Sequence, residues 1–215
     1  MTVTGHPLLI MPMVSRVDYI QPGEVSLSVL LDVMFQIVEI FVKGIEFLHS
    51  LRIVHMVDIC GGNMLTAHPE HASVHKQIVA NRLYIIDFGQ SRQFALGPGV
   101  QRAITLPETQ IEPPNGLLHF DPYSWDIYCT GRMLEYFVTR RYNVVWKIPP
   151  PRLATKLIEW LIGNERGCTG VCHCRPTARE ALRVLIVLRW AVGAPEDYAW
   201  IVDSLADILP TSTRT

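Results

Sequence analysis

The sequence predicts an α+β domain in which a few short β-hairpins precede a mostly helical remainder, and three observations support that class. Asp32, Gln36, Glu39, Lys43, Glu46 and Ser50 recur at steps of four, three, four, three and four within an otherwise apolar stretch. Such spacing draws one narrow polar stripe along a helix, here from Ser28 to Ser50, that is buried on its other sides. The β-branched runs "RIVH" and "RLYIID" each pass into a polar loop and read as short strands. In the second half, "SWDIYCTGRMLEYFV", "RLATKLIEWLIG" and "TAREALRVLIVLRWAV" repeat apolar groups at helical spacing. A chain of 215 residues suits one such domain.

The elements follow in order. "LLIMPMV" (8–14) reads as a strand broken at Pro12, and "SRVDYIQPGEVS" as a loop carrying Pro22 and Gly23. The long helix comes next, then "RIVH". "MVDICGGNMLT" is a loop holding Gly61 and Gly62 before another strand, and "AHPEHASVHKQIVAN" is a polar excursion closed by "RLYIID". Five prolines lie between Phe88 and Tyr123 with little periodicity, which predicts an irregular loop. The helix after it, from Ser124, turns Ile127, Met133, Leu134 and Phe137 inward. "IPPP" breaks the chain, two amphipathic helices follow, and "APEDYAWIVDSLADIL" reads as a last one.

Composition excludes several classes. Hydrophobic content of 49% with 18% charged residues rules out a disordered or fibrous chain. A formal net charge of −1, with no basic cluster, argues against nucleic acid as a partner. The apolar stretch around 28–50 is long enough to span a bilayer. Charges through its middle would be costly there, so a buried helix and no membrane partner are expected. "MTVTGHPLLIMPMV" lacks the basic start of a signal peptide. Five cysteines, an odd number, point to reduced thiols and an intracellular, cytoplasmic setting.

Two acidic sites carry the candidate chemistry. Asp58, with Asn63 five positions on, lies in "HMVDICGGNML", and Asp87 lies in "YIIDFGQSR". Phosphoryl transfer from ATP needs a carboxylate near the attacking hydroxyl and hard oxygen ligands for Mg2+ between the phosphates. An isolated D-x-x-x-x-N more often caps a turn. Its occurrence ahead of a D-F-G, each beside a short strand and after a long buried helix, shifts the balance toward chemistry.

As a set, "FLHSLRIVHMVD", "NML", "LYIIDFG", "LPET", "DIYCTG" and "CRPTAREAL" resemble the C-terminal lobe of a eukaryotic protein kinase domain. "IMPMV" and "FDPYSWDIYC" resemble most closely the protein-kinase-like domains abundant in fungi, basidiomycetes in particular. The resemblance runs from about Leu8 to Val192. It implies a protein-kinase-like fold with a hinge strand near 8–14, a catalytic loop at 55–65, an activation segment at 87–108 and a helical subdomain at 124–208. It implies ATP-dependent transfer of a phosphoryl group to Ser or Thr of a protein substrate, with ATP and Mg2+ as cofactors. Asp58 matches the residue that accepts the hydroxyl proton, and Asn63 and Asp87 match the metal ligands. Met11 falls at the gatekeeper and Met13 at the hinge facing adenine. Glu108 matches a buried partner of Arg175, a pair whose disruption costs roughly 3–5 kcal/mol. Asp126 matches the carboxylate that braces the catalytic loop from below.

The departures are specific. Two residues, Met56 and Val57, separate His55 from Asp58 where the family has a single arginine. Cys60 stands where the family places a lysine. Only seven residues precede Leu8, and no lysine occurs before Lys43, so the glycine-rich loop and the phosphate-gripping lysine are expected to be missing with the N-terminal lobe. Truncation of a longer kinase is the expected cause, with weak or lost ATP binding. The rival outcomes are a pseudokinase that binds a partner protein, or a small-molecule phosphotransferase of the aminoglycoside or choline type. Cys168, Cys172, His173 and Cys174 in "CTGVCHC" include zinc-type donors, but their crowding favours reduced loop thiols. His68, His71 and His75 fit a solvated loop, and the five tryptophans fit packing.

Overall fold

One helix organises the packing, and its start is set by local chemistry. In the computed structural model, residues 15–16, 42–56, 59, 61–66, 79, 83–114, 117–164 and 170–192 are described. Helix α2, Pro122–Thr139, begins where the Asp121 carboxylate accepts the backbone N–H groups of Tyr123 at 3.0 Å and Ser124 at 3.3 Å. Pro122 sits at the first helical position, where its missing N–H costs nothing and its fixed φ already suits a helix. Side chains from Pro122 to Gly131 are all buried, so α2 is enclosed on every side through its first half. Trp125 stacks on Tyr128 with ring centroids 5.3 Å apart, and Phe120 meets Trp125 edge-on at 5.2 Å.

The other helices described are α1 (42–50), α3 (Arg152–Ile162) and α4 (Ala178–Val192). A π-helical turn, Arg140–Trp146, extends α2 and ends at Lys147 in the left-handed region. Val42 and Ile45 of α1, Leu161 of α3 and Ala181 and Leu185 of α4 share one core with α2. The α4 start is a capping box, in which Thr177 N–H donates to Glu180 Oε2 at 2.8 Å and Glu180 N–H donates to Thr177 Oγ1 at 3.2 Å. Among the described residues no helix is long and apolar enough to cross a membrane.

The strands are short and antiparallel: β1 (Ser15–Arg16), β2 (Ile53–Val54), β3 (Met64–Thr66), β4 (Leu83–Ile85), β5 (Arg92–Gln93), β6 (Ile104–Thr105) and β7 (His119–Phe120). They form a β1–β3–β4 sheet and two pairs, β2–β5 and β6–β7. The architecture is therefore α+β, with α1 between β1 and β2 and the other helices after β7. Three details differ from the sequence expectation. Ser15–Arg16 pairs with Thr66 and Leu65, where a loop was expected. The 88–123 segment, expected to be irregular throughout, supplies β5, β6 and β7, each two residues long and too brief to show periodicity. The π-helical turn lies where only a helix end was expected. The predicted strand at 8–14 and last helix at 194–209 lie outside the described residues.

Helix α2 approaches α3 closely at Gly131. A Cβ there would stand 2.9 Å from Ile162 Cγ1, 3.0 Å from the Ile162 backbone nitrogen and 3.1 Å from Leu161 Cβ. Gly131→Ala therefore forces the helices apart and should destabilise the protein by about 1–3 kcal/mol in urea denaturation. Burial, the largest influence, raises the Asp121 carboxyl above its ordinary 3.8, against the lowering effect of the N–H groups of Cys172, Ser124 and Tyr123. A raised folded-state value means that the contribution of Asp121 to stability is fully present below 3.8 and declines as pH rises through the folded value. Measured against Asp121→Asn, wild-type unfolding free energy should accordingly lose ground between pH 4 and pH 7.

Candidate active site

The β3–β4 hairpin carries two of the predicted ligands, Asn63 and Asp87, at one end. Met64 pairs with Ile85, and Ile86 N–H donates to the Asn63 carbonyl at 3.0 Å. Asn63 and Asp87 therefore leave the same end of the ladder from adjacent strands. Asn63 follows a short 3-10 turn, Gly61–Asn63, and its Nδ2 is buried without a hydrogen-bond partner. Asp87 is exposed and has φ of 64°. For a residue with a Cβ that left-handed conformation is strained, and such strain concentrates at functional sites. Its Oδ1 accepts the Gly89 N–H at 3.3 Å, so the side chain turns back on its own loop. Gly89 suits that turn, since a Cβ there would lie 3.2 Å from Asp87 Oδ1.

Beneath the hairpin lies Asp126, fully buried on the first turns of α2. Its Oδ2 accepts the His55 backbone N–H at 2.9 Å and the His49 Nε2–H at 3.0 Å, and its Oδ1 accepts the Met56 N–H at 3.0 Å. One carboxylate thus satisfies two consecutive loop amides and a helix side chain. Met56, at φ of 76°, is itself buried and takes the left-handed turn that aims both amides at the carboxylate. Above it, His55 Nε2 lies 3.1 Å from the Ile86 carbonyl, and its ring meets Phe88 edge-on at 5.0 Å. With Nε2 as the donor, His55 links the buried carboxylate to the residues on either side of Asp87. Ser91 Oγ closes the loop by donating to the His55 carbonyl at 3.3 Å.

Asp58, Met11 and Met13 lie outside the described residues, as do Cys60, Cys168 and the three histidines at 68, 71 and 75. The backbones of Asn63 and Asp87 leave the same end of one hairpin, and Asp126 sits under the loop. The expected Glu108–Arg175 pair is a correction. Glu108 is exposed, and no ion pair joins it to Arg175 among the described residues. Arg175 is committed elsewhere, donating from Nε to the Ile162 carbonyl and from Nη2 to the Asn164 carbonyl at 2.8 Å. Its guanidinium also lies 4.7 Å from the Phe120 ring centroid and 5.2 Å from that of Tyr128. The arginine closes the C-terminal end of α3 and stacks on the α2 core, a role that needs no glutamate. His49 was not anticipated, because a helix residue 77 positions from Asp126 leaves no local pattern.

Among the described residues, no group of three or more His, Cys, Asp or Glu is placed to hold a metal ion. An amide oxygen and a carboxylate on neighbouring strands nonetheless suit Mg2+, which takes hard oxygen donors and keeps several waters. Asp126→Asn tests the brace beneath them. It would turn an amide N–H toward donors that need an acceptor, and should destabilise the protein by about 3 kcal/mol in urea denaturation. Comparison with protein-family models gives no match, and comparison with curated proteins gives none of significance.

Proposed function

We propose that the chain is the catalytic-loop lobe of a protein-kinase-like phosphotransferase, whose inherited reaction moves the γ-phosphoryl group of ATP to a Ser or Thr hydroxyl of a protein. The observation that carries this reading is the Asp126 carboxylate. It accepts the N–H groups of His55 and Met56 while the His55 ring reaches the carbonyl preceding Asp87. That connection gives the loop that leads to Asp58 and the loop that bears Asp87 a common footing. Asn63 and Asp87 would hold Mg2+, which when bound neutralises charge on the phosphates. Asp58 would accept the proton of the attacking hydroxyl. Phe88, against the His55 ring, fixes the direction in which Asp87 leaves the hairpin.

Nucleotide affinity is weak in this reading, because Cys60 stands where the resemblance places a lysine and a neutral thiol cannot offset phosphate charge. The same observation favours a second reading, a pseudokinase lobe that binds a partner protein through the same scaffold.

The metal-binding part of the proposal can be tested apart from turnover. Mn2+ added with ATP should broaden NMR signals around Asn63 and Asp87, with affinity on the order of millimolar. The double variant Asn63→Ala, Asp87→Ala should abolish that broadening. Broadening centred elsewhere, or unchanged in the double variant, would refute the assignment. Micromolar Mg-ATP affinity by calorimetry would contradict weak binding.

A further inference from the structure

Arg175 is only 6% exposed, yet among the described residues its hydrogen-bond partners are carbonyls, a hydroxyl and two thiols. A buried cation without a counter-charge is expensive. Its Nη1 lies 3.6 Å from Cys172 Sγ and 3.6 Å from Cys174 Sγ, and those two sulfurs lie 3.2 Å apart. Of the described side chains in hydrogen-bond reach of Arg175, these thiols are the ones able to supply a full negative charge. Both side chains are partly exposed, so small solutes can reach them. The backbone adds rigidity, since Cys172 N–H donates to Asp121 Oδ2 at 3.0 Å.

We propose that Cys172 and Cys174 are a hydroperoxide-reactive dithiol, with Cys172 as the attacking sulfur and Cys174 as the resolving one. The hydrogen bond from Cys174 is the largest influence on Cys172. With Ser124 and the Arg175 charge it holds that thiol well below its ordinary value, against burial. Other charged or titratable groups beside the pair are Asp121 and the exposed His173. The Cys172 thiolate attacks one oxygen of hydrogen peroxide, the O–O bond breaks, and hydroxide leaves. Cys172 becomes a sulfenic acid. Cys174 then attacks Cys172 Sγ, the S–S bond forms, and the S–O bond breaks. The departing oxygen takes the Cys174 proton and leaves as water. Two electrons pass from the sulfurs to the peroxide, which ends as one water and one hydroxide. The disulfide removes the anion facing Arg175 and disturbs the turn clipped to the α2 cap, so oxidation loosens the lobe.

The test treats the full chain with hydrogen peroxide at pH 8 and pH 6 and maps the products by mass spectrometry. A loss of 2 Da confined to Cys172–Cys174 is expected, at rates differing by less than about threefold between the two pH values. An ordinary thiol would slow by about 80-fold over that range. In Cys174→Ser the sulfenic acid should persist on Cys172 and be trapped by dimedone. The oxidised wild type should melt several degrees lower, a shift reversed by dithiothreitol. A disulfide to Cys168, ordinary-thiol pH dependence, or recovery of both thiols intact would each overturn the proposal.

Discussion

A carboxylate withdrawn from water needs several donors to offset its lost hydration, and Asp126 has three, from His49, His55 and Met56. Hydrogen bonds to an ionised group are about twice as strong as neutral ones, and low local dielectric strengthens them further. This one group therefore fixes where the chain after α1 must pass. Thr130 Oγ1, donating to the Asp126 carbonyl at 2.8 Å, adds a bond along the same stretch of α2. Since α2 is enclosed through its first half, the carboxylate cannot move without moving the core. The loop inherits that rigidity.

The constraint reaches the hairpin through His55. The backbone of this residue is held from below, and its ring contacts the Ile86 carbonyl and Phe88 from the other side. Two residues with Cβ atoms, Met56 and Asp87, hold left-handed conformations on either side of this histidine. At Met56 this costs about 1–2 kcal/mol relative to an extended or right-handed choice, and at Asp87 less, since a short polar side chain bonds its own loop. The surroundings over-determine both, through the Asp126 acceptors at Met56 and the Asx-type turn with Gly89 at Asp87. Arg52 and Lys147 hold the same region in ordinary turns, so what sets Met56 and Asp87 apart is their connection through His55 and not the conformation itself.

The helices were the legible part of the sequence. Periodicity placed α2, α3 and α4 within two residues of their observed bounds, and Ile127, Met133 and Leu134 face the core as their spacing predicts. Two-residue strands carry no periodicity, so β5 to β7 could not be read. The position of Asp126 beneath the loop was legible through the resemblance of "DIYCTG", and the adjacency of the segments bearing Asn63 and Asp87 through the short strands beside them. His49 and the Cys172–Asp121 bond were not, since their partners lie 77 and 51 positions away. The Glu108–Arg175 expectation failed for an instructive reason. Resemblance supplied a partner, but the arginine's donors were already taken by the carbonyls at the end of α3 and its face by two aromatic rings.

Asp126 holds the loop amides as firmly as the core itself. Native-state hydrogen exchange measures that directly. The His55 and Met56 amides should exchange only through global unfolding, with the protection of core amides in α2, while those of Gly99 and Val100 in an exposed turn exchange orders of magnitude faster. Exchange of the His55 and Met56 amides at rates like that turn would contradict it.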